Sequence, residues 1–389
     1  MDNCQIRCYL TAGRVYVVGM TNRSLSYTEI STAYTCPAQW DMAYGGRLAG
    51  STLRPKHILP ILSEGRAWGA AVAAWHQGAG TLMATFDAVD AIHASLNDDF
   101  AQMAAAGAVM EGVLEQRIDM AERLEQLLNH YAATTEPLLN LAQLEETLDV
   151  PLVARSGGKS SSRYRFGAKI DGSTLDASGH EWIVEFKLRG QLHTRQMIEL
   201  MRQYRWYAWA RYRATGIPVV GVIVDERLND LPKPAKVVQA TKKADRLHQR
   251  DDGKWYTVSH DKGQLTTADS YVEVCKDYGV EPHQDVVDAL KARRWQQRTY
   301  VAFRPSELEE AGYELTSAGK LIGQLDRGEL FPVRNASPGI CNRCKFKAIC
   351  ANPLDHLFVD QLFSRTEPKR LRGARQEEPT PVAEPALAF

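Results

Sequence analysis

The region between residues 164 and 224 constrains the fold most strongly, because it alternates between strand and helix patterns. Apolar residues recur at every second position in 164–171, as in a half-buried strand. In 182–187 the same period places Glu185 and Lys187 on one face. The segment 217–224 is almost continuously apolar, which is typical of a strand buried on both faces. A helical pattern before it predicts a right-handed β–α–β crossover, and therefore an α/β fold.

Two carboxylates and a lysine are expected at one point of this predicted sheet. Asp171 ends the first strand, and the Asp171–Gly172 pair predicts a turn. Asp171 would then lie beside Glu185 and Lys187. Two carboxylates can hold a hard divalent cation, which acidifies water and stabilises charge on a phosphoryl oxygen. A lysine on the same face can orient that water. A surface hairpin with one Glu–Lys ion pair is the commoner origin of so short a motif.

The next segment adds a polar stripe and a family resemblance. Gln196, Leu200, Gln203 and Tyr207 have the spacing of one helical face, so Gln203 and Tyr207 would be neighbours. The order of strands, helix and motifs resembles the core of the PD-(D/E)xK nuclease superfamily. The sequence QYRWY at 203–207 is similar to the Gln-x-x-x-Tyr motif of its RecB-like branch. The resemblance implies that Gln203 and Tyr207 organise the site and the scissile strand.

The resemblance also implies a fold and an activity. The fold would be a restriction-endonuclease-like mixed sheet flanked by helices, and the activity a Mg²⁺- or Mn²⁺-dependent DNA nuclease. Asp171 and Glu185 would ligate the metal together with the backbone carbonyl of Phe186, and Lys187 would position the attacking water. The residues before Asp171 lack the Pro-Asp pair of the family name and read Gly167-Ala-Lys-Ile.

A histidine upstream is a further candidate ligand. The segment 66–75 predicts a small-residue helix, and Gly69 and His76 are two turns apart on one face. A lone histidine at a helix end is more often a cap or a partner of the helix dipole. The Gly-x6-His spacing is similar to the first nuclease motif of the RecB-like branch, where the histidine binds metal. Its position upstream of Asp171 favours the ligand role.

Four of the seven cysteines form a pattern that is typical of metal binding. Cys341, Cys344 and Cys350 have the spacing Cys-x2-Cys-x5-Cys, and Cys36, followed by Pro37, can supply a fourth thiolate. This set resembles that of Cas4- and AddB-type nucleases, which implies a [4Fe–4S] cluster joining the N- and C-terminal regions. A zinc knuckle is the alternative, since thiolates suit either metal. No role is assigned to the remaining three cysteines.

The rest of the chain predicts the following organisation. An N-terminal β element is expected over 1–25, and the nuclease domain over 26–365. The domain would contain a helical insert at 84–150, a polar insert at 226–270 and the cysteine segment at 337–350. The segment 271–330 has a mainly helical pattern, and its basic aromatic cluster is the candidate DNA contact: Arg293, Arg294, Trp295 and Arg298. The tail 366–389, rich in Pro, Glu and Arg, predicts disorder.

Composition narrows the function classes further. Lys plus Arg and Asp plus Glu both number 47, so any DNA-binding groove must be local. The sequence has no long apolar run and no signal-peptide pattern, and its cysteine count is odd. We therefore expect a cytoplasmic protein with reduced thiols.

We expect an exonuclease acting on single-stranded DNA or DNA ends, in recombination, repair or mobile-element processing. The alternatives are a catalytically silent DNA-binding scaffold subunit and a Cas4-like CRISPR spacer-acquisition nuclease, either with recombination or CRISPR protein partners.

Overall fold

The computed structural model describes residues 7–11, 14–18, 23–138, 140–142, 144–153, 160–240, 248–249, 251, 253–258, 266–353 and 355–368. The strands are β1 (Arg7–Thr11), β2 (Arg14–Val18), β3 (Arg23–Ser26), β4 (Thr52–Pro55), β5 (Glu146–Val153), β6 (Ser160–Ile170), β7 (Gly172–Leu175), β8 (Glu181–Arg189), β9 (Val219–Leu228), β10 (Val237–Gln239), β11 (His248–Gln249), β12 (Trp255–Val258), β13 (Gln296–Ala302) and β14 (Phe363–Thr366). The helices are α1 (Tyr27–Thr35), α2 (Pro37–Trp40), α3 (Pro60–Gln77), α4 (Leu82–Ala105), α5 (Val113–Thr134), α6 (Arg195–Leu200), α7 (Arg202–Thr215), α8 (Ala268–Asp277), α9 (Gln284–Lys291), α10 (Pro305–Arg327), α11 (Pro338–Cys341) and α12 (His356–Leu362), and a π-helical turn, Asp41–Gly45, follows α2.

The central sheet has the strand order β13–β9–β8–β7. Strands β8 and β9 are parallel, and α6 and α7 connect them, so the predicted β–α–β crossover is confirmed. Strand β9 is buried along nearly its whole length, as its apolar sequence predicts. The register places Glu185 opposite Val224 and Lys187 opposite Glu226. Strand β13 pairs antiparallel with β9 on the other side.

A second sheet, in the order β3–β6–β5, continues into the central sheet at Asp171. Strand β6 ends at Ile170 and β7 begins at Gly172, so one stretch of chain contributes to both sheets. Strand β3 pairs parallel with β6. Residues 23–26 therefore belong to this second sheet, whereas the prediction placed 1–25 in a separate element. Strands β1 and β2 form the antiparallel hairpin expected before them.

Each face of the central sheet packs against different helices. On one face, Ile183 and Val224 pack with α7 and α10 in a core that reaches β5 and β6. On the opposite face, Val184 and Phe186 pack with a helical lobe formed by α3, α4 and α5, of which α4 and α5 lie in the predicted helical insert. Burying each of these large apolar side chains contributes about 1.5–3 kcal/mol, so β8 is fixed from both sides. Alternation along β8 decides which face each functional side chain reaches.

Two predicted segments in the first half of the nuclease-like pattern differ from the structure in type or extent: the helical insert and the polar stripe. The helices of the predicted insert 84–150 end at Thr134, and β5 occupies 146–153. The predicted stripe from Gln196 to Tyr207 is divided, because Met201 has an extended ψ of 108° between α6 and α7. Gln196 consequently lies exposed on α6 and does not share a face with Gln203.

The C-terminal half shows further differences from the predicted inserts. Strand β9 continues to Leu228, so the first residues of the predicted polar insert, 226–228, belong to the central sheet. The remainder of that insert contributes the small sheet β10–β12–β11, which packs with α8 and α9. Residues 296–302, for which a helix was expected, form β13. Of the predicted tail, residues 369–389 lie outside the described residues.

The N- and C-terminal regions pack together beside these sheets. Strand β14 pairs antiparallel with β4. Beneath this pair lies a small apolar core that includes Leu53, Phe346 and Phe363. None of the helices in the described part of the chain is long and apolar enough to cross a membrane.

Candidate active site

Asp171 is positioned at the kink where β6 passes into β7. The backbone N–H of Phe186 donates to its Oδ2 at 2.8 Å, which joins the kink to the middle of β8. The antiparallel pairing of Gly172 with Val184 brings Asp171 alongside Glu185. The predicted turn at Asp171–Gly172 was wrong: the chain continues as β7 and reverses at 176–179, where Gly179 N–H donates to Asp176 O at 2.9 Å. The hairpin is therefore longer than expected, but it still juxtaposes the two carboxylates.

The carboxylates and the lysine meet on one face of β8. Lys187 Nζ lies 2.5 Å from Glu185 Oε2 and 3.5 Å from Asp171 Oδ2. The Glu185 side chain is 1% exposed, whereas those of Lys187 and Asp171 are 22% and 27% exposed. Solvent and a substrate can thus reach Asp171 and Lys187, while Glu185 forms the floor of the site.

Burial controls the electrostatics of this group. It raises the pKa of Glu185 to about 7, although Lys187 opposes the shift and Asp171 adds to it. For Lys187, burial lowers the pKa, but the two carboxylates more than offset this and the net shift is upward. Near neutral pH the lysine is therefore charged, and Glu185 is close to the midpoint of its titration.

The unsatisfied oxygen of Glu185 identifies where a cation would fit. Its Oε1 is buried and accepts no hydrogen bond from the described residues. A buried carboxylate oxygen without a partner is costly, and a divalent cation would satisfy it. Across the described residues no three His, Cys, Asp or Glu side chains are grouped to hold a metal, so the protein supplies two carboxylates here. Two carboxylates, with the remaining positions taken by water and substrate, are a usual donor set for Mg²⁺.

Helix α7 covers this site with polar side chains. Gln203 hydrogen-bonds to the hydroxyl of Tyr207, as their spacing predicts. Burial, followed by the charge of Glu185, raises the pKa of Tyr207. Tyr204, between them in sequence, was not predicted as a site residue. Its buried hydroxyl has no hydrogen-bond partner in the described structure, and its pKa rises to about 12 through burial although Lys187 opposes this.

His76 lies on the other side of the sheet from the carboxylates. Its ring stacks on that of Phe186 at 5.3 Å between centroids, and Phe186 points away from Glu185 along β8. Leu138 N–H donates to Nδ1 at 3.0 Å, so Nε2 carries the proton and donates to the Tyr131 hydroxyl at 2.8 Å. Burial lowers the pKa of His76 to about 3. Both ring nitrogens are thus engaged away from Asp171 and Glu185 in this structure, which does not bring His76 to the two carboxylates, and its ligand role stays a prediction.

The predicted basic cluster is divided in the structure. Arg298 Nε donates to Asp225 Oδ2 at 2.8 Å. The same oxygen accepts from the Tyr131 hydroxyl at 3.0 Å, so this guanidinium belongs to the buried hydrogen-bond network of His76. The guanidinium of Arg293 lies 5.0 Å from the ring centroid of Trp295. The fourth residue of the cluster, Arg294, is exposed. The structure thus places Arg298 in an ion pair with Asp225, apart from the other three residues, and the DNA contact stays a prediction for all four.

A buried glutamate on β9 organises a polar group that sequence reasoning missed. Glu226 is fully buried and accepts hydrogen bonds from Arg189, His193 and Gln297. The sequence predicts that this residue starts the polar insert, because an apolar run followed by charges is typical of a strand end. No local signal in the sequence shows that β9 continues with buried charges. The sequence does place Arg189 on the same face of β8 as Glu185 and Lys187, by the period of two. This position indicates that the polar surface continues beyond Lys187.

The four cysteines of the predicted cluster converge on one region. Asn335 N–H approaches Cys36 Sγ at 3.5 Å, which brings the C-terminal segment to the end of α1. Burial raises the pKa of Cys344, and the thiols of the other three cysteines raise it further, so all four lie within electrostatic range. Within the described residues they are not closed around a common centre. The donor set suits an iron–sulfur cluster or zinc.

Comparison with known proteins supports this arrangement at the level of the family. The family model of the PD-(D/E)XK nuclease superfamily matches residues 24–351. The match begins at β3 and ends just after Cys350, so it covers both sheets, the helical lobe and the cysteine segment. No curated protein matches the chain significantly.

Proposed function

Since the chain belongs to the PD-(D/E)XK nuclease superfamily, we propose that it is a Mg²⁺- or Mn²⁺-dependent deoxyribonuclease that degrades DNA from strand ends. The observation that carries this proposal is the Asp171, Glu185 and Lys187 group, with a buried and unpartnered Glu185 Oε1 beside an accessible lysine. This is the arrangement that hydrolysis of a phosphodiester requires: oxygen ligands, a fixed cation and access for the substrate.

The ligands of the divalent cation would be Asp171, Glu185 and the backbone carbonyl of Phe186. When bound, the cation supplies acidification of a water molecule and neutralisation of phosphate charge. Lys187 holds its proton, because two carboxylates raise its pKa, so it donates a hydrogen bond and does not act as a base. It would orient the attacking water towards the phosphorus. His76 is left out of this proposed ligand set, because both of its ring nitrogens are engaged elsewhere.

Residues of α7 would position the substrate strand above Lys187. Gln203 hydrogen-bonds to the hydroxyl of Tyr207, and this hydroxyl lies within electrostatic range of Glu185, Lys187 and Asp171. The unpartnered Tyr204 hydroxyl lies within electrostatic range of Lys187 and Glu185. This hydroxyl can therefore donate a hydrogen bond to a bound substrate, since no residue of the described chain competes for it.

We also propose that Cys36, Cys341, Cys344 and Cys350 hold a [4Fe–4S] cluster with a structural role, which is the assignment of the RecB-like branch. The convergence of the four thiols supports this proposal. Anaerobically purified protein should contain about four iron and four sulfide per chain. It should also absorb broadly near ~400 nm, as iron–thiolate centres do. Colourless protein that contains one zinc per chain would instead support the alternative of a zinc site.

The proposed activity is tested with end-labelled single- and double-stranded DNA, linear and circular, in Mg²⁺ or Mn²⁺. An exonuclease should shorten the linear strands and leave circles intact, and the position of the label gives its polarity. Cleavage of circles would instead identify an endonuclease. Binding without cleavage in either metal, by folded and iron-loaded protein, would indicate a DNA-binding subunit and refute the proposal.

A further inference from the structure

In the polar group around Glu226, one buried carboxylate accepts hydrogen bonds from three side chains. Glu226 accepts from Arg189 Nε at 3.2 Å, from Gln297 Nε2 at 3.0 Å, and from both the Nδ1 and the backbone N–H of His193, at 2.8 and 3.1 Å. Four donors satisfy both oxygens of this fully buried side chain. Arg189 and His193 are consequently held in fixed orientations.

This group lies directly beside the proposed catalytic residues. The parallel register pairs Lys187 with Glu226 across β8 and β9. Because alternate residues of a strand share a face, Arg189 projects from the same face as Glu185 and Lys187. The hydroxyl of Tyr204 lies within the fields of both groups, since Lys187 and Glu226 both act on it. The two groups therefore form one continuous polar surface.

Arg189 and His193 each keep nitrogen atoms that Glu226 does not use. Their side chains are 28% and 26% exposed. In the described part of the chain, Glu226 is the carboxylate that binds Arg189, through Nε, and the terminal guanidinium nitrogens make no hydrogen bond. His193 uses Nδ1 in the same way, so Nε2 is the nitrogen left over. Each side chain is thus anchored on one side and open on the other.

We infer that Arg189 and His193, both anchored by Glu226, bind a backbone phosphate next to the scissile phosphodiester. The inference rests on the proposed nuclease function and extends it to a second phosphate subsite. Backbone contacts of this kind fix the register of a nucleic acid on a protein without reading its sequence. The planar Arg189 guanidinium, oriented through its Nε, presents its remaining donors as a fork that suits a phosphate. The subsite would set which linkage lies over Lys187.

The test measures binding of a labelled single-stranded oligonucleotide by fluorescence anisotropy, in EDTA and over a range of salt concentrations. Arg189→Gln should weaken binding by about tenfold at low salt, the loss of one charge-assisted contact. It should also reduce the slope of log K against log salt by about 0.7, the value for one phosphate on a single strand. Arg189→Lys, which keeps the charge, should retain the slope. Arg327→Gln is the control, because Arg327, in the last turn of α10, is an exposed arginine that Glu329 holds through Nε and Nη2.

Two substitutions of His193 separate anchoring from phosphate contact. His193→Asn keeps a donor at the position of Nδ1 and loses the outward nitrogen, so binding should weaken; His193→Gln keeps the outward donor and should bind like the native protein. An unchanged salt slope in Arg189→Gln, or equal binding by the two His193 variants, would overturn the inference and leave these residues as partners of Glu226 only. Since the readout needs no cleavage, a protein that binds in this way but cleaves nothing would refute the proposed function and leave the subsite standing.

Discussion

Replacement of Glu185 by glutamine should stabilise the metal-free protein. Glu185 is buried, and its pKa is raised from 4.5 to about 7 mainly by that burial. An acid with a raised folded-state pKa binds its proton more tightly in the folded protein, so stability falls as the pH rises from about 4.5 to 7. At about 1.36 kcal/mol per pH unit between the two pKa values, ionised Glu185 costs about 3 kcal/mol above pH 7.

The size of the effect on thermal unfolding follows from the chain length. A protein of 389 residues unfolds with an entropy of about 0.8 kcal/mol per kelvin. In EDTA at pH 8, Glu185→Gln should therefore raise the Tm by about 4 °C. At pH 4.5 the difference should disappear, because Glu185 is then protonated in the native protein as well. The exposed Glu309 on α10 provides the control Glu309→Gln, which should change neither value.

Addition of Mn²⁺ should remove most of the difference in Tm between the two proteins. A ligand at 100 times its Kd stabilises the folded state by about 2.7 kcal/mol, and only the native site has the Glu185 carboxylate to bind it. The native protein should therefore gain about 3 °C in Tm while Glu185→Gln gains little. Differential scanning calorimetry with and without Mn²⁺ measures both effects. A lower Tm for Glu185→Gln in EDTA at pH 8, or equal gains with Mn²⁺, would refute this account of the site.

Three further substitutions test other parts of the structure. His76→Ala should destabilise the fold by about 2–3 kcal/mol, because it leaves the buried Leu138 N–H unpaired and removes the hydrogen bond to Tyr131. It should keep Mn²⁺ binding, and loss of Mn²⁺ affinity in calorimetric titration would support His76 as a ligand. Arg211→Ala leaves the buried Glu181 unpaired, so it should lower the free energy of unfolding, measured in urea, by about 3–5 kcal/mol. The control Arg213→Ala, on the exposed side of α7, should leave this free energy unchanged. Equal effects of the two substitutions would contradict the buried ion pair. Cys344→Ser should remove most of the bound iron and lower the Tm, and full iron content in that variant would exclude Cys344 from the cluster.

Strands β6, β8 and β9 were predictable because burial imposes a pattern on sequence. One buried face gives the period of two in β6, and two buried faces give the apolar run of β9. The alternation in β8 also predicted correctly that Glu185 and Lys187 share a face. These are local consequences of the pleat, so a single sequence is sufficient to find them.

Features that depend on distant partners were not predictable in this way. Met201 interrupts the helix although it is a good helix former and no Pro or Gly stands beside it. Glu226 is buried only because Arg189, His193 and Gln297 converge on it from β8, its following loop and β13. The spacing from Gly69 to His76 predicts one helical face, but α3 is buried on several sides, so spacing alone does not show which face meets the carboxylates.

The most direct test of the central claim compares the single-turnover cleavage rate of linear DNA by the native protein and by Lys187→Met in saturating Mn²⁺. Methionine keeps the length and packing of the lysine stem but removes the charge beside Glu185 and Asp171. The account predicts that cleavage falls by at least about 100-fold while DNA affinity changes little. Cleavage by Lys187→Met at the native rate would show that the Asp171, Glu185 and Lys187 group is not the site of the reaction.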